Sequence, residues 1–285
     1  FRPQPLPREE GALKVEMLRR MALIRAFEEA VAAANARGEV PTEAVHLSTG
    51  QEATAVGVCF ALRADDYMVT THRGHGHTLA KGADVGRTMA ELFGKETGLC
   101  KGKGGSVHIT DVTVGALGGN GIVGAPYLIA TGAALSARHH ARVQRGDGWS
   151  VGDPLGTQPL GASAPGGDPL GTRPLGALRE ARSPVAVAFS GDGATNQGMF
   201  HEALNFAAVF RLPVIFIVEN NLYGELTPLA SHVAIDRLSD RADAYGMRGV
   251  TVDGNDVWAV YRTMREAVTR ARAGRGPALI ECLTY

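Results

Sequence analysis

Two stretches decide the fold: Pro184-Val185-Ala186-Val187-Ala188-Phe189-Ser190-Gly191-Asp192-Gly193 and Pro213-Val214-Ile215-Phe216-Ile217-Val218-Glu219-Asn220-Asn221. Val185 to Ser190 and Val214 to Val218 are strand candidates, and the second is apolar throughout, as a parallel strand covered on both faces should be. Between them Phe200, Ala203, Leu204, Ala207 and Phe210 mark one face of a helix, which Pro213 ends. Further on, Gly249 to Val252 and Ala278 to Leu283 are two more strand candidates flanking a helix from about Val257 to Ala273. Alternation of this kind predicts an α/β protein built on a doubly wound parallel sheet.

Gly191-Asp192-Gly193 follows the first strand and Asn220-Asn221 the second, with 26 residues between the two groups. A strand, a return helix and a parallel strand place both strand ends side by side at the carboxyl edge of a sheet. Asp192 and Asn221 therefore converge although 29 positions separate them. A carboxylate and an amide oxygen are hard ligands. Mg²⁺ takes one or two protein side chains and completes its octahedron with phosphate oxygens, water or a backbone carbonyl, which Tyr223 is placed to give. A helix opening after Gly193 would direct free N–H groups at the same spot and favour an anion there. Both groups are also strong turn formers, but their joint position at the ends of two buried strands argues for more than turns. No Gly-x-Gly-x-x-Gly lies between strand and helix, which counts against a dinucleotide site.

Upstream, Leu13, Met17, Met21, Ile24, Phe27 and Val31 recur at helical spacing, predicting an amphipathic helix from Glu9 to about Arg37. Residues 1–40 read as an N-terminal helical arm and 41–285 as the main domain. The segment from Gly50 to Gly124 is dense in glycine and histidine, which implies loops whose backbone approaches something closely. Within it, His72, His75 and His77 resemble a metal cluster, but no cysteine or carboxylate nearby completes a ligand set. From about 144 to 182 the chain changes in kind. Gly152 to Ala162 returns fifteen residues later as Gly167 to Ala177 with one difference, Gln158 against Arg173. Its proline and glycine content predicts a surface insertion, with a short binding element as the alternative.

The 285 residues are 45% hydrophobic and 20% charged, with 29 basic and 29 acidic side chains. No basic run offers itself to a nucleic acid, and no apolar run approaches a bilayer span. The start lacks the apolar stretch of a secretory signal, so a cytoplasmic location is expected. Cys59, Cys100 and Cys282 are isolated from one another and read as buried thiols in a reducing compartment.

The run Gly191-Asp192-Gly193-Ala194-Thr195-Asn196-Gln197-Gly198 through Glu219-Asn220-Asn221-Leu222-Tyr223-Gly224 resembles the thiamine diphosphate motif of the α subunits of 2-oxo acid and acetoin dehydrogenases. The likeness extends over nearly the whole chain outside the repeat. It includes His46-Leu47-Ser48-Thr49-Gly50-Gln51-Glu52-Ala53, the stretch His72 to His77, Lys101 to His108 and Gly119-Asn120-Gly121-Ile122-Val123-Gly124.

The resemblance implies a thiamine diphosphate-binding fold and assigns Asp192, Asn221 and Tyr223 to Mg²⁺, with Gly193 and Ala194 beside the diphosphate. It puts His72 and Arg73 at the diphosphate and substrate side, where a guanidinium suits phosphate; a solvated salt bridge is the plainer role for Arg73. His46 matches a position lining the substrate pocket, where an imidazole serves an oxyanion or a proton, against the plain alternative of a hydrogen-bonded loop histidine. Gly121 and Val123 match the backbone that meets the aminopyrimidine ring, and packing alone is the other reading. His46 and His72 are thus the expected catalytic groups. The glutamate that activates the aminopyrimidine belongs in this family to a β subunit, so activity is expected only in an α₂β₂ heterotetramer that passes an acyl group to a lipoyl-bearing acyltransferase. Ala278 to Tyr285 resembles the strand before a mobile, histidine-containing loop at the active-site entrance, on which closure and acyl transfer are expected to depend; the sequence stops before it. The stretch His72 to Lys81 with Gly82-Ala83-Asp84 looks closest to acetoin dehydrogenases, with pyruvate-like 2-oxo acids close behind. A non-catalytic or assembly relative that binds the cofactor without turnover is the alternative.

Overall fold

The structure, a computed structural model, describes residues 6, 9–42, 45–144 and 184–284; the fifteen-residue repeat lies outside them. The strands are β1 (Tyr67–Thr71), β2 (Ala116–Asn120), β3 (Ala186–Gly191), β4 (Val214–Asn220), the short ribbon β5 (Tyr223–Gly224) and β6 (Thr227–Pro228), β7 (Arg248–Asp253) and β8 (Ala278–Leu283). Six of them form one parallel sheet in the order β2-β1-β3-β4-β8-β7. The helices are α1 (Glu10–Ala36), α2 (Glu52–Phe60), α3 (His75–Lys81), α4 (Val85–Leu92), α5 (Ala125–Gln144), α6 (Gly198–Val209) and α7 (Val257–Arg272). The expected doubly wound sheet is the observed one.

Side chains alternate across each strand, so one sheet carries two cores. Val187, Phe189, Ile215, Ile217 and Ile280 face α1, α2, α3 and α7, where Met17, Ile24, Val56, Leu79 and Met264 close the layer. Ala186, Ala188, Val214, Phe216 and Val218 face α5 and α6, and there Tyr127, Phe200 and Leu204 pack. Both faces of β3 and β4 are therefore covered, which is why β4 is apolar without alternation. The buried side of α1 (Leu13, Met17, Ile24, Phe27, Val31) belongs to the first core, and Arg25 grips Glu52 at the start of α2 through two hydrogen bonds of 2.6 and 3.1 Å.

Two expectations change. The glycine-dense segment contains β1, β2 and three helices besides its loops. All nine residues of α2 are buried, and a helix buried on every side has no amphipathic period to reveal it. In β2, Ala-Leu-Gly-Gly-Asn carries none of the residues that favour strands. The second change is at Gly193, where no α-helix opens. Thr195 turns back on Asp192, its N–H and hydroxyl both bonding the Asp192 carbonyl at 3.1 and 2.7 Å, and a 3₁₀ turn runs over Gly193–Asn196 before α6 starts at Gly198. The N–H groups next to Asp192 thus come from this tight turn rather than from α6.

Candidate active site

The carboxyl ends of four adjacent strands gather every residue the sequence singles out, except His46. Gly121 and Val123 follow β2, His72 and Arg73 follow β1, Asp192, Gly193 and Ala194 follow β3, and Asn221 and Tyr223 follow β4. Registers Thr71↔Asn120 and Gly191↔Glu219 set these ends level with one another. The chain leaves β1 for β2 on one side and β3 for β4 on the other, so the crevice between β1 and β3 is the switch point at which open α/β sheets bind ligands.

Asp192 is buried, and its Oδ2 has no hydrogen-bond partner. Burial pushes its pKa up, partly countered by hydrogen bonds from the N–H groups of Asp192 and Gly193. A carboxylate oxygen left bare inside a protein is costly unless something positive meets it, so this atom fits a cation site. Asn220 and Asn221 do form turns: Asn220 Oδ1 accepts from Leu222 N at 3.0 Å and Asn221 Oδ1 from Tyr223 N at 3.2 Å. An amide oxygen has a second lone pair, so the turn bond leaves Asn221 able to act as a ligand as well. Leu222 and Glu225, both in the left-handed region at φ +70° and +56°, flank Tyr223 and Gly224, and strained backbone of this kind collects at ligand sites. Gly193 and Gly224 let the ribbon close on the turn: a Cβ on Gly193 would stand 3.1 Å from the Gly224 Cα.

On the other side of the switch point, the rings of His46 and His72 meet edge to face with centroids 4.7 Å apart. Arg73 donates from Nη1 to the Leu47 carbonyl at 2.8 Å, clamping the His46 loop to β1. Burial, with His46 and then Arg73 adding nearby positive charge, holds His72 down at about 4; burial and Arg73 also lower His46. Both rings are therefore neutral near pH 7, and His46 Nδ1 is buried without a partner. His72 is expected to titrate near pH 4 in the folded protein, followed through its imidazole proton resonance; a midpoint at the solvated value of about 6.5 would show an open ring. Because folding favours neutral His72, its contribution to stability is complete above about pH 6.5 and declines as pH falls toward 4.

His75 and His77 do not join this group. His75 lies between Glu28 Oε2 at 3.0 Å and Ser106 Oγ at 2.9 Å, and His77 Nε2 meets Glu219 Oε1 at 2.8 Å. Glu219, in turn, sits in β4, so this pair ties α3 to the strand that leads into Asn221; burial lowers the His77 pKa, but the charge and hydrogen bond of Glu219, with smaller contributions from the Arg73 backbone and Glu28, together raise it. Among the described residues no group of three or more His, Cys, Asp or Glu side chains could hold a metal. At Gly121 a Cβ would meet only Val107, at an ordinary 3.4 Å, so packing does not demand glycine there; Val123 is 47% exposed and free for contact with something outside the fold. Cys59 and Cys282 are buried, and burial pushes Cys59 up to about 12, whereas Cys100 is only partly buried, contrary to the expectation for all three.

Several supporting carboxylates escape any sequence reading. Glu281 accepts from Asn220 Nδ2 at 2.8 Å and fixes the turn that presents Asn221. Fully buried Glu91 accepts from the N–H groups of Cys100, Gly102, Gly104 and Gly105 at 2.7, 2.9, 2.7 and 3.2 Å, shaping the Lys101–Gly105 loop. His232 stands 3.8 Å from Asp192 Oδ2. Their partners lie from 9 residues away, for Glu91 and Cys100, to 61, for Glu281 and Asn220, at spacings that carry no local pattern.

A family model described as dehydrogenase E1 component matches residues 19–285. The α subunit of acetoin:2,6-dichlorophenolindophenol oxidoreductase from Bacillus subtilis (strain 168) is 48% identical over 277 residues, covering 97% of this chain and 70% of that one. The chloroplastic pyruvate dehydrogenase E1 component subunit alpha-3 of Arabidopsis thaliana is 38% identical over 280 residues, 98% of this chain and 56% of that one. Transketolase from Leishmania mexicana superposes with a TM-score of 0.61 at 18% identity, over 94% of this chain and 36% of that chain, a likeness of fold alone. With a family model matched over residues 19–285 and α-subunit relatives at 48% and 38% identity over nearly all of this chain, the chain belongs to the dehydrogenase E1 component family, as an α-type component for which thiamine diphosphate is the implied cofactor.

Proposed function

We propose that this chain holds the diphosphate of thiamine diphosphate through Mg²⁺ at Asp192, Asn221 and the Tyr223 carbonyl, and that with a β subunit it acts on acetoin. The bare, buried Oδ2 of Asp192 at the switch point carries this reading. When bound, the cofactor supplies a nucleophilic carbon and an electron sink for breaking a carbon–carbon bond beside a carbonyl. The protein's part is to bind, orient and exclude water. Ala194 brings a backbone N–H group to the anion, Gly193 leaves room beside it, and Arg73, one N–H already committed to Leu47, brings positive charge to the same crevice. His72 and His46, both neutral near pH 7, offer uncharged hydrogen bonds to a substrate oxygen, the form suited to developing negative charge without a proton being surrendered. Gly121 and exposed Val123 offer backbone and a small apolar surface to the aminopyrimidine.

Acetoin is preferred over pyruvate because a relative named for acetoin is 48% identical against 38% for the pyruvate-named chain. No helix among the described residues is long and apolar enough to cross a membrane. The α₂β₂ assembly, acyl transfer to a lipoyl acyltransferase and a cytoplasmic location complete the proposal. Purified with its β partner, the protein is expected to reduce 2,6-dichlorophenolindophenol with acetoin several-fold faster than with pyruvate. Faster pyruvate turnover would reverse the substrate assignment, and no turnover with cofactor still bound would identify a non-catalytic relative.

A further inference from the structure

Arg241, Asn196 and His232 form a chain of hydrogen bonds that ends at Asp192. Arg241 Nη2 donates to Asn196 Oδ1 at 3.0 Å, while Nη1 holds the Thr195 carbonyl. Because Asn196 Oδ1 is taken by a donor, its amide nitrogen faces His232, donating to Nδ1 at 3.1 Å and to the His232 carbonyl at 3.0 Å. An imidazole whose Nδ1 accepts must carry its proton on Nε2 when neutral. That Nε2 is buried without a partner, and so is Asp192 Oδ2, 3.8 Å away. The gap is too wide for a hydrogen bond between them.

A buried donor and a buried acceptor, each unsatisfied and each pinned from behind, mark the place of a third group. A water fills such a gap by accepting from the imidazole and donating to the carboxylate; a phosphate oxygen on a metal fills it as well, accepting from the imidazole while the cation meets the carboxylate, and it suits a site at the sheet's switch point. Gly224 keeps the position clear, since a Cβ there would stand 3.2 Å from His232 Nε2.

We propose that His232 donates its Nε2–H to a diphosphate oxygen of the cofactor, with Asn196 and Arg241 as positioning residues that fix the ring and its tautomer. This adds to the site a residue from the segment after the β5–β6 ribbon, outside the motif that holds Asp192 and Asn221. The role presupposes the diphosphate site at Asp192, so the test separates the two.

The α chain is purified with its β partner, and the dissociation constant for thiamine diphosphate is measured by equilibrium dialysis at saturating Mg²⁺. His232→Leu and His232→Gln are compared because they are close in volume and only glutamine keeps an N–H donor. Leucine is expected to weaken binding about tenfold or more, glutamine by no more than about threefold. Asn196→Ala, which frees the ring, is expected to fall between them. Equal affinities for the Leu and Gln variants, whether both unchanged or both weakened, would overturn the donor role, since a purely structural role treats them alike. If either fails to fold, Asn196→Ala decides: wild-type affinity overturns the proposal. Asp192→Ala is run alongside, and its binding as tightly as wild type would instead remove the diphosphate site itself.

Discussion

Replacing Asp192 by alanine is expected to weaken Mg²⁺-dependent binding of thiamine diphosphate by at least about a hundredfold, because even outer partners of metal ligands commonly account for 10–100-fold. The same change is expected to leave the cofactor-free protein as stable as before, or more so. Asp192 is buried, burial raises its pKa, and its Oδ2 has no partner, so in the empty site the carboxylate is a burden that only a bound cation relieves. Thermal unfolding separates these effects. With thiamine diphosphate and Mg²⁺ at about a hundred times the dissociation constant, the wild type should gain about 2.7 kcal/mol, and the variant close to nothing. Asp192→Asn, which keeps the shape and loses the charge, should behave like the alanine variant toward the cofactor. Unchanged affinity in both variants would move the site elsewhere.

Glu91→Ala is expected to produce the largest loss of stability. Its two carboxylate oxygens receive four backbone N–H groups from Cys100, Gly102, Gly104 and Gly105. Truncation would leave these donors facing a cavity, at about 1–3 kcal/mol for each one that water cannot reach. With roughly 5–15 kcal/mol available to a domain, a net loss of about 4 kcal/mol or more is expected, lowering the melting temperature by on the order of 10 °C. Gly102 is part of the reason: at φ +73°, with a Cβ position 2.5 Å from the Gly94 backbone, it lets the loop fold back over the carboxylate. Glu91→Gln keeps one acceptor oxygen and should lose about half as much. A melting temperature unchanged in Glu91→Ala would mean that water replaces the carboxylate without cost.

The β3-α6-β4 unit and the β7-α7-β8 unit were legible in the sequence because each carries a clean local signal. Val214 to Val218 is apolar in every position, and the helical period of Phe200, Ala203, Leu204 and Ala207 is uninterrupted. The same local signals were silent in α2, buried on all sides, and in β2, whose glycines sit where neighbours crowd in; a Cβ on Gly119 would stand 2.3 Å from the Val107 carbonyl oxygen. For Gly193 the expected helix start gave way to a 3₁₀ turn because the Thr195 hydroxyl captures the Asp192 carbonyl, a choice set by one side chain rather than by pattern.

What the sequence determined by itself is the covalent order of strand, acid, helix, strand and amide, and that order obliges Asp192 and Asn221 to share one sheet edge, since parallel strands joined by a helix end on the same side. Tertiary structure alone decided how those residues are held. Glu281 on Asn220, Glu219 on His77 and Glu91 under its loop join positions that only folding brings within hydrogen-bond range, and only folding sets His232 3.8 Å from Asp192. The physical reason is that a backbone pattern is a property of neighbours along the chain, whereas the satisfaction of a buried polar atom is a property of neighbours in space.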